Sequence, residues 1–138
     1  MAKLFDTHFT LLERSLDFRT RRNNLLSANV ANLETPGYKS RDMVFEEALG
    51  KAMKAQQPGP LRVTDDKHFD GRRATPLELV KPQVITTASP DAALDQNTVN
   101  METEMAKIAE NQVAYQALTQ IISSRFNKLK LAIREGDR

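Results

Sequence analysis

The sequence predicts a mainly all-α fold in which long N- and C-terminal helices pack as a coiled-coil pair around an extended, irregular middle segment holding at most a short β hairpin. Three observations lead there. Apolar residues recur at alternating steps of four and three at both ends of the chain. Five prolines and two glycines fall between Pro58 and Pro90 and forbid a long helix there. A Thr35-Pro36-Gly37 stop separates the first apolar block from the middle.

The first helix is predicted from about Lys3 to Leu33. Its stripe is Phe5, Phe9, Leu12 and Leu16, then Leu26, Val30 and Leu33, with Arg19 and Asn23 interrupting the middle. A flanking stripe of Leu4, Leu11, Phe18 and Leu25 widens the apolar face, so this helix has surface for more than one neighbour. At 1.5 Å per residue it is roughly 45 Å long. From Asp42 to Ala55 a short helical pattern (Phe45, Ala48, Leu49, Ala52, Met53) is weakened by Gly50. From Gln56 to Pro90 the chain reads as a surface-lying loop with little core of its own, and Leu77 to Thr86 supplies at best a strand or hairpin. The last helix is predicted from Val99 to Arg134, capped by Asn97 or Asn100. Its stripe is Met101, Met105, Ile108, Gln112, Tyr115, Thr119, Ile122, Phe126, Leu129 and Ile133, with Glu102 and Glu104 suited to its positive end and Lys128, Lys130 and Arg134 to its negative end. The whole of 1–138 is read as a single domain: helix 1–34, turn, short helix and loop 35–98, helix 99–135.

Composition narrows function by exclusion. Twenty basic and 18 acidic side chains leave a net charge of +2, too small for the one-signed field that nucleic-acid or membrane-surface binding needs. No run reaches the ~20 apolar residues of a membrane span. Without cysteine there is neither a disulfide framework nor a thiolate metal site. Lys3 and Asp6 interrupt any apolar signal region at the N-terminus, so a cleaved secretory signal is not expected.

Other candidates each have a plain counterpart. Arg14, Arg19, Arg21 and Arg22 form a basic cluster, but Glu13 and Asp17 interleave it and favour an ion-pair face. Asp65 to Gly71 resembles a calcium loop, yet His68 replaces an oxygen ligand and Leu77 stands where a bidentate Glu belongs; a polar turn is the better reading. His8 and His68 have no nucleophile or carboxylate placed beside them by a motif. No catalytic, cofactor or metal residue is assigned. Arg19, Asn23, Gln112 and Thr119 within the stripes either fix helix register from buried positions or face water at a gap in the packing.

Ala28-Asn29-Val30-Ala31-Asn32-Leu33-Glu34-Thr35-Pro36-Gly37-Tyr38-Lys39 resembles the signature of the flagellar rod, hook and hook-associated family. Arg41 to Leu49, Asn97 to Glu102 and Asn111 to Gln116 are also family-like, and the short length matches the rod members. The resemblance covers both ends, roughly two thirds of the chain. It implies a rod subunit, in the periplasmic part of the basal body, that polymerises through its terminal helices and carries torque without an active site. Asn29, Asn32, Thr35, Pro36, Gly37 and Tyr38 are then the assembly motif. Implied partners are copies of itself, other proximal rod proteins, the rod-adaptor subunit and the flagellar type III export apparatus, with no nucleic acid, small-molecule substrate or direct membrane insertion. Phe5 and Phe9 have packing as their simplest role and an export signal as a second. From another class, a soluble α-helical adaptor or export chaperone would use the same stripes to bind a partner helix.

Overall fold

A computed structural model describes residues 2–56, 77–88 and 96–135, with the backbone alone for 2–7, 55, 56 and 78. Helix α1 spans Ala2–Ala31, strand β1 Arg41–Val44, helix α2 Glu46–Gln56, strand β2 Gln83–Thr86 and helix α3 Met101–Glu135. A 3₁₀ turn at Leu77–Leu79 precedes β2. Both long helices fall within two residues of their predicted bounds. No helix among the described residues is long and apolar enough to cross a membrane.

α1 and α3 pack antiparallel along much of their length. Near one end the rings of Phe9 and Phe126 lie 5.5 Å apart. Midway, Asn111 Nδ2 donates to the Arg19 carbonyl at 2.9 Å. At the other end Asn29 meets Glu104. Leu12 and Leu26, two of the predicted stripe residues, are buried.

The largest apolar cluster lies elsewhere. Phe18, Met43, Phe45, Leu49, Ala52, Leu77 and Val80 are all buried together, with Leu11, Leu25, Ala48 and Met53 packed against them. Phe18 and Phe45 stack with tilted rings at 5.4 Å. Burying a ring of that size stabilises by roughly 1.5–3 kcal/mol. The flanking stripe Leu11-Phe18-Leu25 therefore finds its neighbour in the chain's own middle. Of the segment from Gln56 to Pro90, expected to have little core of its own, Leu77 and Val80 join this cluster.

Two local readings also change. Residues 42–44 are strand and not the start of a helix, because Pro and Gly at 36 and 37 deliver an extended chain and Met43 turns inward between half-buried Asp42 and exposed Val44. α2 starts only at Glu46, where Leu49 N–H bonds to the Phe45 carbonyl at 2.9 Å and Glu46 and Glu47 occupy the first turn. Moreover β2 pairs across the chain with β1, antiparallel with Arg41 opposite Thr86 and Val44 opposite Gln83, and not within a local hairpin.

Candidate functional site

The Thr35-Pro36-Gly37-Tyr38 turn has the geometry its residues dictate. Pro36 sets the first central position, Gly37 adopts φ +72° at the second, and Tyr38 N–H bonds back to the Thr35 carbonyl at 3.3 Å. This is a type II turn, whose second central residue needs positive φ. A Cβ at Gly37 would meet nothing within 4 Å, so the demand for glycine is conformational and not steric.

α1 ends just before this turn, and its loose carbonyls are collected from far away in sequence. Asn97 Nδ2 donates toward the carbonyls of Asn32, Leu33 and Thr35 at 3.1, 2.7 and 2.9 Å. Its Oδ1 accepts from Val99 N–H at 2.8 Å. Asn100 is the residue that caps α3, accepting from Thr103 N–H at 3.0 Å. The two candidate caps thus divide the work: Asn100 begins α3, while Asn97 closes the end of α1. Asn32 supports the same end by donating to the Ala28 carbonyl at 2.8 Å and accepting from the Thr35 hydroxyl at 3.2 Å.

Asn29 is the centre of the junction and has no exposed surface. Its Oδ1 accepts from Arg41 N–H at 3.0 Å, while its Nδ2 donates to the Arg41 carbonyl at 2.7 Å and to Glu104 Oε2 at 2.8 Å. The Tyr38 hydroxyl lies 3.4 Å from the same Oδ1. One amide side chain thereby satisfies main-chain groups of β1 and the carboxylate of α3 together.

Around it runs a chain of alternating charge. Glu104, almost fully buried, accepts from Lys107 Nζ at 2.8 Å. Lys107 is 3.9 Å from Asp42 Oδ2, and Arg22 grips Asp42 through Nε at 2.7 Å and Nη2 at 3.0 Å. Burial pushes the Asp42 carboxyl up, but the Arg22 hydrogen bonds, the Met43 N–H and the charges of Arg22 and Lys107 together outweigh it and hold the group below its ordinary value. On α1, Arg22 is correspondingly raised, chiefly by its hydrogen bond to Asp42. Opposite charges on α1, β1 and α3 neutralise each other, which is what makes burial of Glu104 tolerable.

A second polar clasp lies further along the helix pair. Arg19 Nη1 reaches Asn111 Oδ1 at 3.4 Å, its guanidinium sits 5.5 Å above the Phe45 ring, and Nη2 is 3.7 Å from Glu46. Its Nε is buried without a hydrogen-bond partner. Arg19 is therefore half-buried and tied across the helix pair, and with Asn23, Gln112, Ile108 and Tyr115 it lines an open groove of about 410 Å³.

The predicted sites distribute as follows. Asn29, Asn32, Thr35, Pro36, Gly37 and Tyr38 meet at the junction. Of the packing stripe, Leu12 and Leu26 are buried and Phe9, Leu16, Val30, Leu33, Ile108, Ile122 and Leu129 are half-buried. Met101, Met105, Tyr115, Phe126 and Ile133 are exposed. The side chain of Phe5 and the Asp65–Gly71 segment with His68 lie outside the described residues. On α3 the buried residues are the polar Glu104 and Asn111, and Ile108, Ala114, Leu118, Ile122 and Leu129 are half-buried beside them. Sequence reasoning read Arg22 as part of an ion-pair face and Glu104 as a partner of the helix dipole, but missed their place in the junction and that of Asp42, Lys107 and Asn111. For Glu104 and Asn111 a signal was present in the heptad spacing of Glu104, Asn111, Leu118 and Arg125, which a count of apolar residues alone discards.

Among the described residues no group of three or more His, Asp or Glu is placed to hold a metal ion. What the geometry does is fasten the end of α1, the turn, β1 and the start of α3 into one unit. No family model matches the chain. Among curated proteins it is 34% identical over 134 residues to the flagellar basal body rod protein FlgB of Aeromonas hydrophila, covering 97% of this chain and 98% of that protein. It is 30% identical to FlgB of Escherichia coli K12, covering 99% and 100%. To FlgB of one Cereibacter sphaeroides strain it is 38% identical, covering 88% and 89%.

Proposed function

Since the chain belongs to the FlgB family and is a structural subunit of the flagellar basal body rod, we propose that it joins the proximal rod by polymerising through its terminal helices and so passes torque from motor to hook. The observation that carries this reading is the apolar surface of α3. Met101, Met105, Val113, Tyr115, Ile121, Phe126, Leu131 and Ile133 are each 38–74% exposed in the single chain. These side chains lie on more than one side of the helix, more than a lone soluble helix pair leaves wet, and neighbouring subunits on those sides would cover them at roughly 25 cal/mol per Å².

On this reading the polar junction is the rigid corner from which the helices project, and torque is resisted by interdigitated side chains. Copies of this chain, other proximal rod proteins and the rod-adaptor subunit are the proposed neighbours. The proposed location is the periplasmic rod, reached through the flagellar type III apparatus without a cleaved signal. None of the relatives supports an adaptor or chaperone role.

The test places a charge on two sides of this exposed surface. Leu131→Glu and Ile133→Glu touch little in the single chain, so each should alter its stability by no more than about 0.5 kcal/mol in urea unfolding. Both should abolish incorporation into basal bodies and swimming. A doubly substituted chain that still builds motile flagella would show that this surface is not an assembly surface.

A further inference from the structure

Among the described residues the two-stranded sheet has one edge largely closed and one open. The phase of its ladder follows from the bond of Thr87 N–H to the Ser40 carbonyl at 2.9 Å. Given the pairing of Asp42 with Ile85 and Val44 with Gln83, the Ser40 carbonyl and the main-chain groups of Asp42 and Val44 face β2, those of Arg41 and Met43 face away, and the Ser40 N–H is taken by Thr98 Oγ1 at 2.8 Å. The outward Arg41 N–H and carbonyl are both taken by the Asn29 amide, and the outward Met43 N–H is taken by Asp42 Oδ1 at 2.7 Å. Three of the four outward main-chain groups of β1 are therefore bonded within the molecule.

β2 is the opposite case. By the same alternation, Gln83 and Ile85 bond to β1, while the N–H and carbonyl groups of Val84 and Thr86 point outward. All four residues of β2 are exposed, and Val84 and Ile85 retain 49% and 45% of their surface. Gln83 to Ala88 carries no charge, nor does β2 hold a proline or bulge within it. Charge, proline and bulges are the usual protections of a free sheet edge. A two-stranded ribbon is also marginal by itself and gains most from a third strand.

We propose that the outer edge of β2 is an assembly site that accepts an extended, uncharged segment of an adjoining rod subunit as a third strand, bonded to the main-chain groups of Val84 and Thr86. The chemistry of the edge selects the occupant: alternating donors and acceptors at strand spacing match an extended backbone, not a helix, an ion or a small molecule. Val84 and Ile85, pointing to opposite faces, supply apolar contact on both sides of the added strand. The inference rests on the rod-subunit reading and adds a second kind of contact to the helical one.

Thr86→Pro is the decisive variant, because it removes only an outward N–H and leaves the inner ladder intact. Expressed as the full chain in a strain deleted for its gene, it should keep the circular dichroism spectrum and urea midpoint of the wild type, yet swim no better than the deletion strain and be absent from purified basal bodies. Thr86→Val, which retains the N–H, should swim normally. A folded Thr86→Pro chain that restores swimming overturns the edge proposal while leaving the rod reading standing. A deletion strain that swims overturns the rod reading itself. Should Thr86→Pro fail to fold, hydrogen exchange on the wild type decides: amides in residues 83–88 should exchange at least a hundredfold more slowly in basal bodies than in the isolated chain, and equal rates overturn the proposal.

Discussion

Replacing Asn29 by Ala probes the junction most directly. The side chain contributes little volume, so a pure packing role would cost about 1 kcal/mol or less. The hydrogen-bond geometry says otherwise. Truncation leaves the Arg41 N–H, the Arg41 carbonyl and one oxygen of Glu104 without their partner in a site with no solvent exposure. Each abandoned buried polar group costs about 1–3 kcal/mol, and water entering the small space recovers part of that. The expected loss is about 3–5 kcal/mol, a large fraction of the 5–15 kcal/mol that typical domains possess. In urea, with a slope near 1.5 kcal/mol per M, the midpoint followed by circular dichroism should fall by about 2–3 M. Asn29→Asp keeps the shape but sets a second carboxylate oxygen against Glu104 Oε2, and should be at least as harmful. Asn24→Ala, an exposed neighbour on α1, should be silent. A midpoint for Asn29→Ala within 0.5 M of wild type would refute the hub, whatever the fate of motility.

Two further outcomes are expected. Gly37→Val forces a β-branched residue to φ +72° and should cost about 2 kcal/mol and abolish swimming, while Gly37→Asn, which tolerates left-handed backbone, should lose under about 1 kcal/mol and swim; equal behaviour of the two in urea unfolding would argue against the type II turn. Because the folded Asp42 carboxyl is held below its ordinary value, its ion pair stabilises fully above about pH 4 and is lost as pH falls through the lowered value; acid titration of stability should therefore steepen below pH 4 in the wild type and flatten in Asp42→Asn.

How legible the molecule was in its sequence depended on which physical signal each part uses. α1 and α3 announce themselves through repeated apolar spacing, and the turn through residues with narrow backbone preferences. β1 is harder to see, because four residues with one buried side chain carry almost no period, and its partner residues lie 39 to 45 positions downstream. In the first half of α3 the apolar count caught half-buried Ile108 but not the two buried residues, for a specific reason. Glu104 and Asn111 are buried because Asn29, Lys107 and Arg19 meet their polar atoms, and those partners are invisible to a count of hydrophobicity. Met101 and Met105, which such a count ranks highest, are half exposed. The flanking stripe of α1 was read correctly as a second contact surface, but its partner proved to be Met43, Phe45 and Leu49 of the same chain.

Many of the bonds made by Asn29 and Asn97 end on main-chain atoms, at Arg41, Asn32, Leu33 and Thr35. Peptide groups are carried by nearly every residue type, so the receiving positions can change identity while the two amides that reach them cannot. A lineage of such proteins is thus free to drift across much of its length, holding its shape by a few unalterable side chains and an otherwise replaceable backbone.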